Sequence, residues 1–211
     1  MTLGLCFKNV RISLGGQDLL SLDCMIEPGT VLTVMGPSGS GKSTLLSFIA
    51  GFLTPPFTAD GRIVLNGADI TDALPEARHV GLLFQDPMLF PHLSVGGNLL
   101  FGMPPGARDR LATAGEALAR FGLEGFAERD PATLSGGQAS RVALLRLLLS
   151  EPKAALLDEP FSKLDRHLRG DIRRFTFERL RDAGLPTVLV THDPEDAEAA
   201  AGPVLEIAGT G

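Results

Sequence analysis

A nine-residue segment restricts the fold of this chain more than any other. Gly36-Pro37-Ser38-Gly39-Ser40-Gly41-Lys42-Ser43-Thr44 fits the pattern G-x-x-x-x-G-K-[ST]. The apolar run Val31–Met35 precedes it and a helical pattern, Lys42–Ala50, follows it. A strand that turns on glycines into a helix collects backbone N–H groups and the positive end of the helix at one point, which suits phosphate. Gly39 and Gly41 let the backbone converge on phosphate oxygens. Lys42 is the expected charge for the β- and γ-phosphates of a nucleoside triphosphate, and the Ser43 hydroxyl is an expected Mg²⁺ ligand.

The rest of the chain agrees with such a core. Short apolar runs recur at Val31–Met35, Arg62–Leu65, Val80–Phe84, Ala154–Leu157, Thr187–Val190 and Val204–Ile207, each of strand length. Helical patterns lie between them at Lys42–Ala50, Ala107–Phe121, Gln138–Ser150 and Arg166–Ala183. Ala107–Phe121 sets Leu111, Leu118 and Phe121 on one side. Gln138–Ser150 is apolar round most of its surface and is expected to be buried. Asp193-Pro194 reads as a cap and first residue of another helix. Strands alternating with helices predict an α/β fold with a mostly parallel sheet covered on both faces. From about Pro87 to Pro152 the pattern is helical without a strand. The expected organisation is therefore a single domain, 1–211, with a helical subdomain at about 87–152 inserted between 1–86 and 153–211.

Composition narrows the function classes. The formal net charge is −6 and the isoelectric point is near 5.2, so a basic nucleic-acid footprint is not expected. Arg173, Arg174, Arg179 and Arg181 read as a solvated helix face. Cys6 and Cys24 are too few for a disulfide framework or a zinc site and read as small buried apolar residues. Mean hydropathy is +0.18, which leans towards a buried partner surface. Neither a secretory-signal pattern nor an apolar stretch of membrane-spanning length is present.

A second functional element is Ala154-Ala155-Leu156-Leu157-Asp158-Glu159. Two adjacent carboxylates at the end of an apolar strand are costly without a cation. Mg²⁺ near the phosphate loop supplies one, with Asp158 in its shell. Glu159 is then placed to orient or deprotonate water against a γ-phosphate.

Leu134-Ser135-Gly136-Gly137-Gln138 puts backbone N–H groups at the start of a helix, a second anion site, and one triphosphate cannot serve both sites within a single chain. With the phosphate loop before it and the Asp-Glu strand after it, this LSGGQ resembles the signature of the ATP-binding cassette (ABC) ATPases. Gln85 looks like their Q-loop glutamine, Ser162-Lys163-Leu164-Asp165 like their D-loop, and Thr191-His192-Asp193 like their switch histidine. The resemblance implies a RecA-like P-loop NTPase core with an N-terminal antiparallel β part. It implies a head-to-tail homodimer holding two Mg-ATP, with Ser135, Gly136, Gly137 and Gln138 of one copy capping the ATP on the other copy's phosphate loop. Glu159 would be the general base, Gln85 a contact to Mg²⁺ and water, His192 a donor to the γ-phosphate, and Asp165 a contact across the dimer.

The run from Phe84 to Leu99 is similar to Q-loop regions of bacterial uptake-transporter subunits, and the chain as a whole resembles a small bacterial importer subunit related to those near thiamine-type and molybdate-type systems. This implies an ATP-hydrolysing importer subunit, peripheral at the cytoplasmic face of the inner membrane, with integral membrane permease subunits and a solute-binding protein as partners. Half of the apolar residues in Pro87–Phe101 are expected in the core and the rest in a groove for a permease helix. Competing classes are a non-transport ABC ATPase of assembly or nucleic-acid maintenance, and a small P-loop kinase that leaves LSGGQ and His192 unexplained. Two features depart from the family pattern. Leu14 stands where an aromatic often stacks on adenine, so weaker purine discrimination is expected unless Phe7 or another group substitutes. Ala139 and Ser140 follow the signature where basic or amide residues are common, with Arg141 retained. From the position of the last strand, no C-terminal regulatory domain is expected.

Overall fold

The computed structural model describes residues 3–37 and 39–207. The first two strands, β1 (Leu5–Leu14) and β2 (Gln17–Ile26), form a hairpin through Gly15-Gly16. Both glycines have positive φ, 57° and 85°, as a two-residue turn matched to strand twist requires. Leu5, Phe7, Val10 and Ile12 of β1 are buried while their neighbours are largely exposed. The spacing slips by one between Phe7 and Val10, where the register breaks at a bulge and Asn9 takes φ 49°.

Next come β3 (Val31–Met35), α1 (Lys42–Ala50), β4 (Phe57–Leu65) and the two-residue β5 (Ala68–Asp69), the last two joined by Asn66-Gly67. Then follow β6 (Val80–Leu83), α2 (Val95–Gly102), α3 (Arg110–Arg120), α4 (Gly136–Leu149), β7 (Ala154–Asp158), α5 (Arg166–Asp182), β8 (Thr187–Val190), α6 (Pro194–Ala200) and β9 (Val204–Glu206). Between β6 and β7 the described residues form helices and no strand.

Two sheets result. One is antiparallel in the order β2-β1-β4-β5, and the other is parallel in the order β6-β7-β8-β3-β9. The central strands β3, β7 and β8 are buried on both faces, and their side chains divide between two cores. Leu32, Val34, Leu156, Val188 and Val190 pack with α1 and the antiparallel sheet. Val31, Ala155, Leu157 and Leu189 pack with α2–α5. The parallel sheet is thus the middle layer, as continuous apolar strands demand. Arg78 ties the end of α1 to the layer beside it. Its buried guanidinium donates to the carbonyls of Phe48 and Ile49, each at 2.9 Å, where a helix C-terminus favours a cation.

Several local expectations change. The strand expected at Arg62–Leu65 extends back to Phe57, and the helix expected from Ala107 starts at Arg110. Leu111, in its first turn, is 77% exposed, whereas Ala114 and Leu118 carry the packing. Cys6 and Cys24 are half-buried rather than buried. Arg173 is 6% exposed and not part of a solvated face. Acidic side chains around it explain the difference.

Candidate active site

The phosphate-loop residues meet the strand-end carboxylates at the C-terminal end of the parallel sheet. Gly39, Gly41, Lys42, Ser43 and Thr44 line a cleft of about 400 Å³ together with Gln85, Asp158 and Glu159. Gly41 caps α1 in the left-handed conformation, φ 90°, which favours glycine. The Lys42 ammonium donates to the carbonyls of Gly36 and Pro37, each at 2.7 Å. The loop therefore holds its own cation through two of its carbonyls. Ser40, in the same loop, is buried at 1% exposure. Ser38, expected in the same set, lies outside the described residues.

Asp158 ends β7 and lines the cleft together with Ser43. Burial pushes its carboxyl up from the usual range, and adjacent Glu159 adds to this; the Ser43 hydroxyl and Lys42 act in the opposite direction. Two hard oxygen donors, Ser43 and Asp158, with the Gln85 amide lining the same cleft, fit a magnesium ion that completes its shell with water and phosphate. Glu159 has φ 45°, uncommon for a side chain of this size and of the kind that clusters at functional sites. Its N–H donates to the Val190 carbonyl at 2.9 Å. Its Oε1 lies 2.9 Å from His192 Nδ1. A carboxylate only accepts, so Nδ1 carries the proton in this contact and Nε2 is left for other partners.

The segment bearing His192 is anchored to α5. Arg173 reaches Asp193 at 3.3 Å, Glu195 at 2.9 Å and Asp196 at 2.6 Å. Asp196 also accepts from the Thr191 hydroxyl at 2.7 Å. Arg173 and Asp196 are nearly fully buried, so each satisfies a charge that would otherwise be stranded.

Ser135, Gly136, Gly137 and Gln138 do not line this cleft. They form the first turn of α4, where the Ser135 hydroxyl accepts from the Gln138 N–H at 3.3 Å and the Gln138 side chain accepts from the Ser135 N–H at 2.9 Å. Ser135 and Gly136 are exposed. Asp165 precedes α5 without a side-chain cap bond and is exposed. Lys163 beside it donates to Asp86 at 2.7 Å, next to Gln85. Phe7 is fully buried in the core and is no substitute for an aromatic at Leu14. Leu14, Leu19 and Phe57 line the cleft instead. Phe57 was not expected there; the period-two pattern Phe57, Ala59, Gly61, Ile63, Leu65 after Pro55-Pro56 is the signal that locates it.

Comparison with known proteins agrees with this geometry. Residues 19–162 match the family model described as ABC transporter. The chain is 49% identical over 199 residues to the uncharacterized ABC transporter ATP-binding protein YnjD of Escherichia coli K12, covering 92% of this chain and 91% of that one. It is 44% identical over 195 residues to the thiamine import ATP-binding protein ThiQ of Jannaschia sp. strain CCS1, covering 90% and 83%. The solved dimeric structure of MJ0796, a bacterial ABC transporter cassette, superposes with a TM-score of 0.81 at 30% identity, covering 97% of this chain and 94% of that one. The family match over residues 19–162, the identity to these relatives over most of both chains and the shared fold of the solved cassette show that this chain belongs to the ABC transporter family, as an ATP-hydrolysing cassette.

Proposed function

We propose that the chain is the ATP-binding and ATP-hydrolysing subunit of a bacterial importer, working as a homodimer that closes on two Mg-ATP and drives a separate membrane permease. The observation that carries this reading is the separation of the two anion sites. The cleft holds Lys42, Ser43, Gln85, Asp158 and Glu159, while the signature turn Ser135–Gln138, with Ser135 and Gly136 exposed, lies outside it. A second copy, turned head to tail, brings its signature turn to the cleft of the first. The dimeric cassette structure and the relative named for thiamine import support the reading.

In the reaction, Lys42 and the N-terminus of α1 hold the phosphates. Ser43, Asp158 and Gln85 would hold magnesium, which supplies charge neutralisation on the phosphate oxygens. Glu159 accepts the proton of a water as that oxygen bonds to the γ-phosphorus and the bond to the β–γ bridging oxygen breaks, leaving ADP and phosphate. Because His192 Nδ1 is committed to Glu159, Nε2 is the ring nitrogen that serves the γ-phosphate. Ser135, Gly136 and Gly137 of the second copy add donors, and Asp165 lies at the dimer contact. ATP favours the closed dimer and hydrolysis releases it, a switch driven by differential affinity.

Helices α2–α4, within about 87–152, act as a subdomain carrying the permease contact. A groove of about 200 Å³ is lined by Phe84, Pro87, Phe90, Phe101 and Arg146, and Phe101 is 67% exposed. Phe84 faces this groove while the next residue, Gln85, lines the nucleotide cleft, so an inserted permease helix and the phosphate end share one backbone segment. Among the described residues no helix is long and apolar enough to cross a membrane; attachment at the cytoplasmic face comes through the permease. A solute-binding protein supplies the solute, which this subunit does not contact.

The test is Glu159→Gln in single-turnover hydrolysis. The variant should bind ATP as wild type does and hydrolyse it about 10²-fold or more slowly. Near-normal hydrolysis overturns the assignment of Glu159 and the mechanism built on it.

A further inference from the structure

The nucleotide cleft has two kinds of wall. One is the phosphate loop with its carboxylate partners. The other is apolar and comes from three adjacent strands of the antiparallel sheet: Leu19 on β2, Leu14 on β1 and Phe57 on β4. Leu19 abuts the loop, since a methyl group placed on Gly41 would lie 3.5 Å from the Leu19 Cβ. Leu14 and Phe57, the last residue of β1 and the first of β4, are direct cross-strand partners. Directly opposed residues share a face of the sheet. Leu14 is 38% exposed and Phe57 is half-buried, so their surfaces are open to a ligand without being free of the fold.

A ligand anchored by its triphosphate on the loop lays its remaining apolar surface on this wall. For a nucleotide that surface is the face of the base. The chain has 12 phenylalanines and neither tryptophan nor tyrosine, and of its aromatic side chains Phe57 is the one lining the cleft among the described residues. We propose that Phe57 is the base-stacking residue of this site, so that the aromatic platform enters from β4 rather than from β1. The inference rests on the reading of the cleft as an ATP site. It also carries a specificity. Stacking on an aromatic face tolerates every base, and Leu14, Leu19 and Phe57 offer no side-chain hydrogen bond to a base edge. The wall therefore accepts purines for their shape, and ATP and GTP bind with affinities within a few-fold of each other.

Calorimetric titration of the full chain with ATP, with GTP and with inorganic tripolyphosphate separates the two walls. Phe57→Ala and Phe57→Leu should each lose about 5- to 150-fold in ATP affinity and keep tripolyphosphate affinity, which also reports an intact loop and fold. Phe57→Trp should retain ATP affinity. Its tryptophan is the only one in the chain, and its fluorescence should change with ADP and stay constant with tripolyphosphate. Wild type binding ATP while Phe57→Ala binds it equally well overturns this inference alone, as does an ADP-insensitive tryptophan or a strong preference for one purine. Wild type failing to bind ATP at all overturns the ATP reading together with it.

Discussion

Asp158 and Glu159 are chain neighbours held in different surroundings. Asp158 ends a buried strand, and burial raises its carboxyl above the ordinary 3.8. Between that ordinary value and the raised one, the folded chain keeps a proton that the unfolded chain has released. Stability therefore falls as pH rises through this window and stays lower above it. In protein free of metal and nucleotide, Asp158→Asn should melt above wild type at pH 8, with the gap closing towards pH 4; thermal denaturation across that range checks it, and a variant that melts lower at pH 8 contradicts it. Glu159 is half-turned into the left-handed region, φ 45°, and sets its carboxylate on His192. Both acids were legible in the sequence because the site is built from contiguous motifs at strand ends. The period-two pattern places Phe57 on a strand, but its place in the cleft depends on which residue of β1 faces it across the sheet, and no contiguous motif records that.

The elements differ in the same way. Strands β3, β7 and β8 are buried on both faces and read as plain apolar runs. Hairpin β1–β2 alternates with solvent and slips at Asn9, so its apolar residues fall out of step and no run marks it. Helix α5 shows a different limit. Its arginines look alike in sequence, yet Arg173 is buried against Asp193 and Asp196 while Arg174 pairs with Asp171 at the surface. Arg173 joins α5 to the start of α6 and so holds the segment carrying His192. Removing it strands the buried Asp196. Arg173→Met should cost about 3 kcal/mol in urea unfolding, and Arg174→Met well under 1 kcal/mol; equal effects would mean that the buried network does not hold the two helices together.

Across the whole molecule, the parallel sheet carries the proposed catalytic groups at its C-terminal edge, the antiparallel sheet supplies the apolar wall of the cleft, and the signature turn of α4 lies outside that cleft. Each part is well formed within one chain, and on the proposed reading the composite site needs two. The direct test is the molar mass of Glu159→Gln by light scattering with Mg-ATP. The prediction is a particle of twice the 22.3 kDa chain that forms with Mg-ATP and is lost when Ser135 is replaced by arginine. A mass of one chain at every nucleotide concentration, with ATP bound, would contradict it.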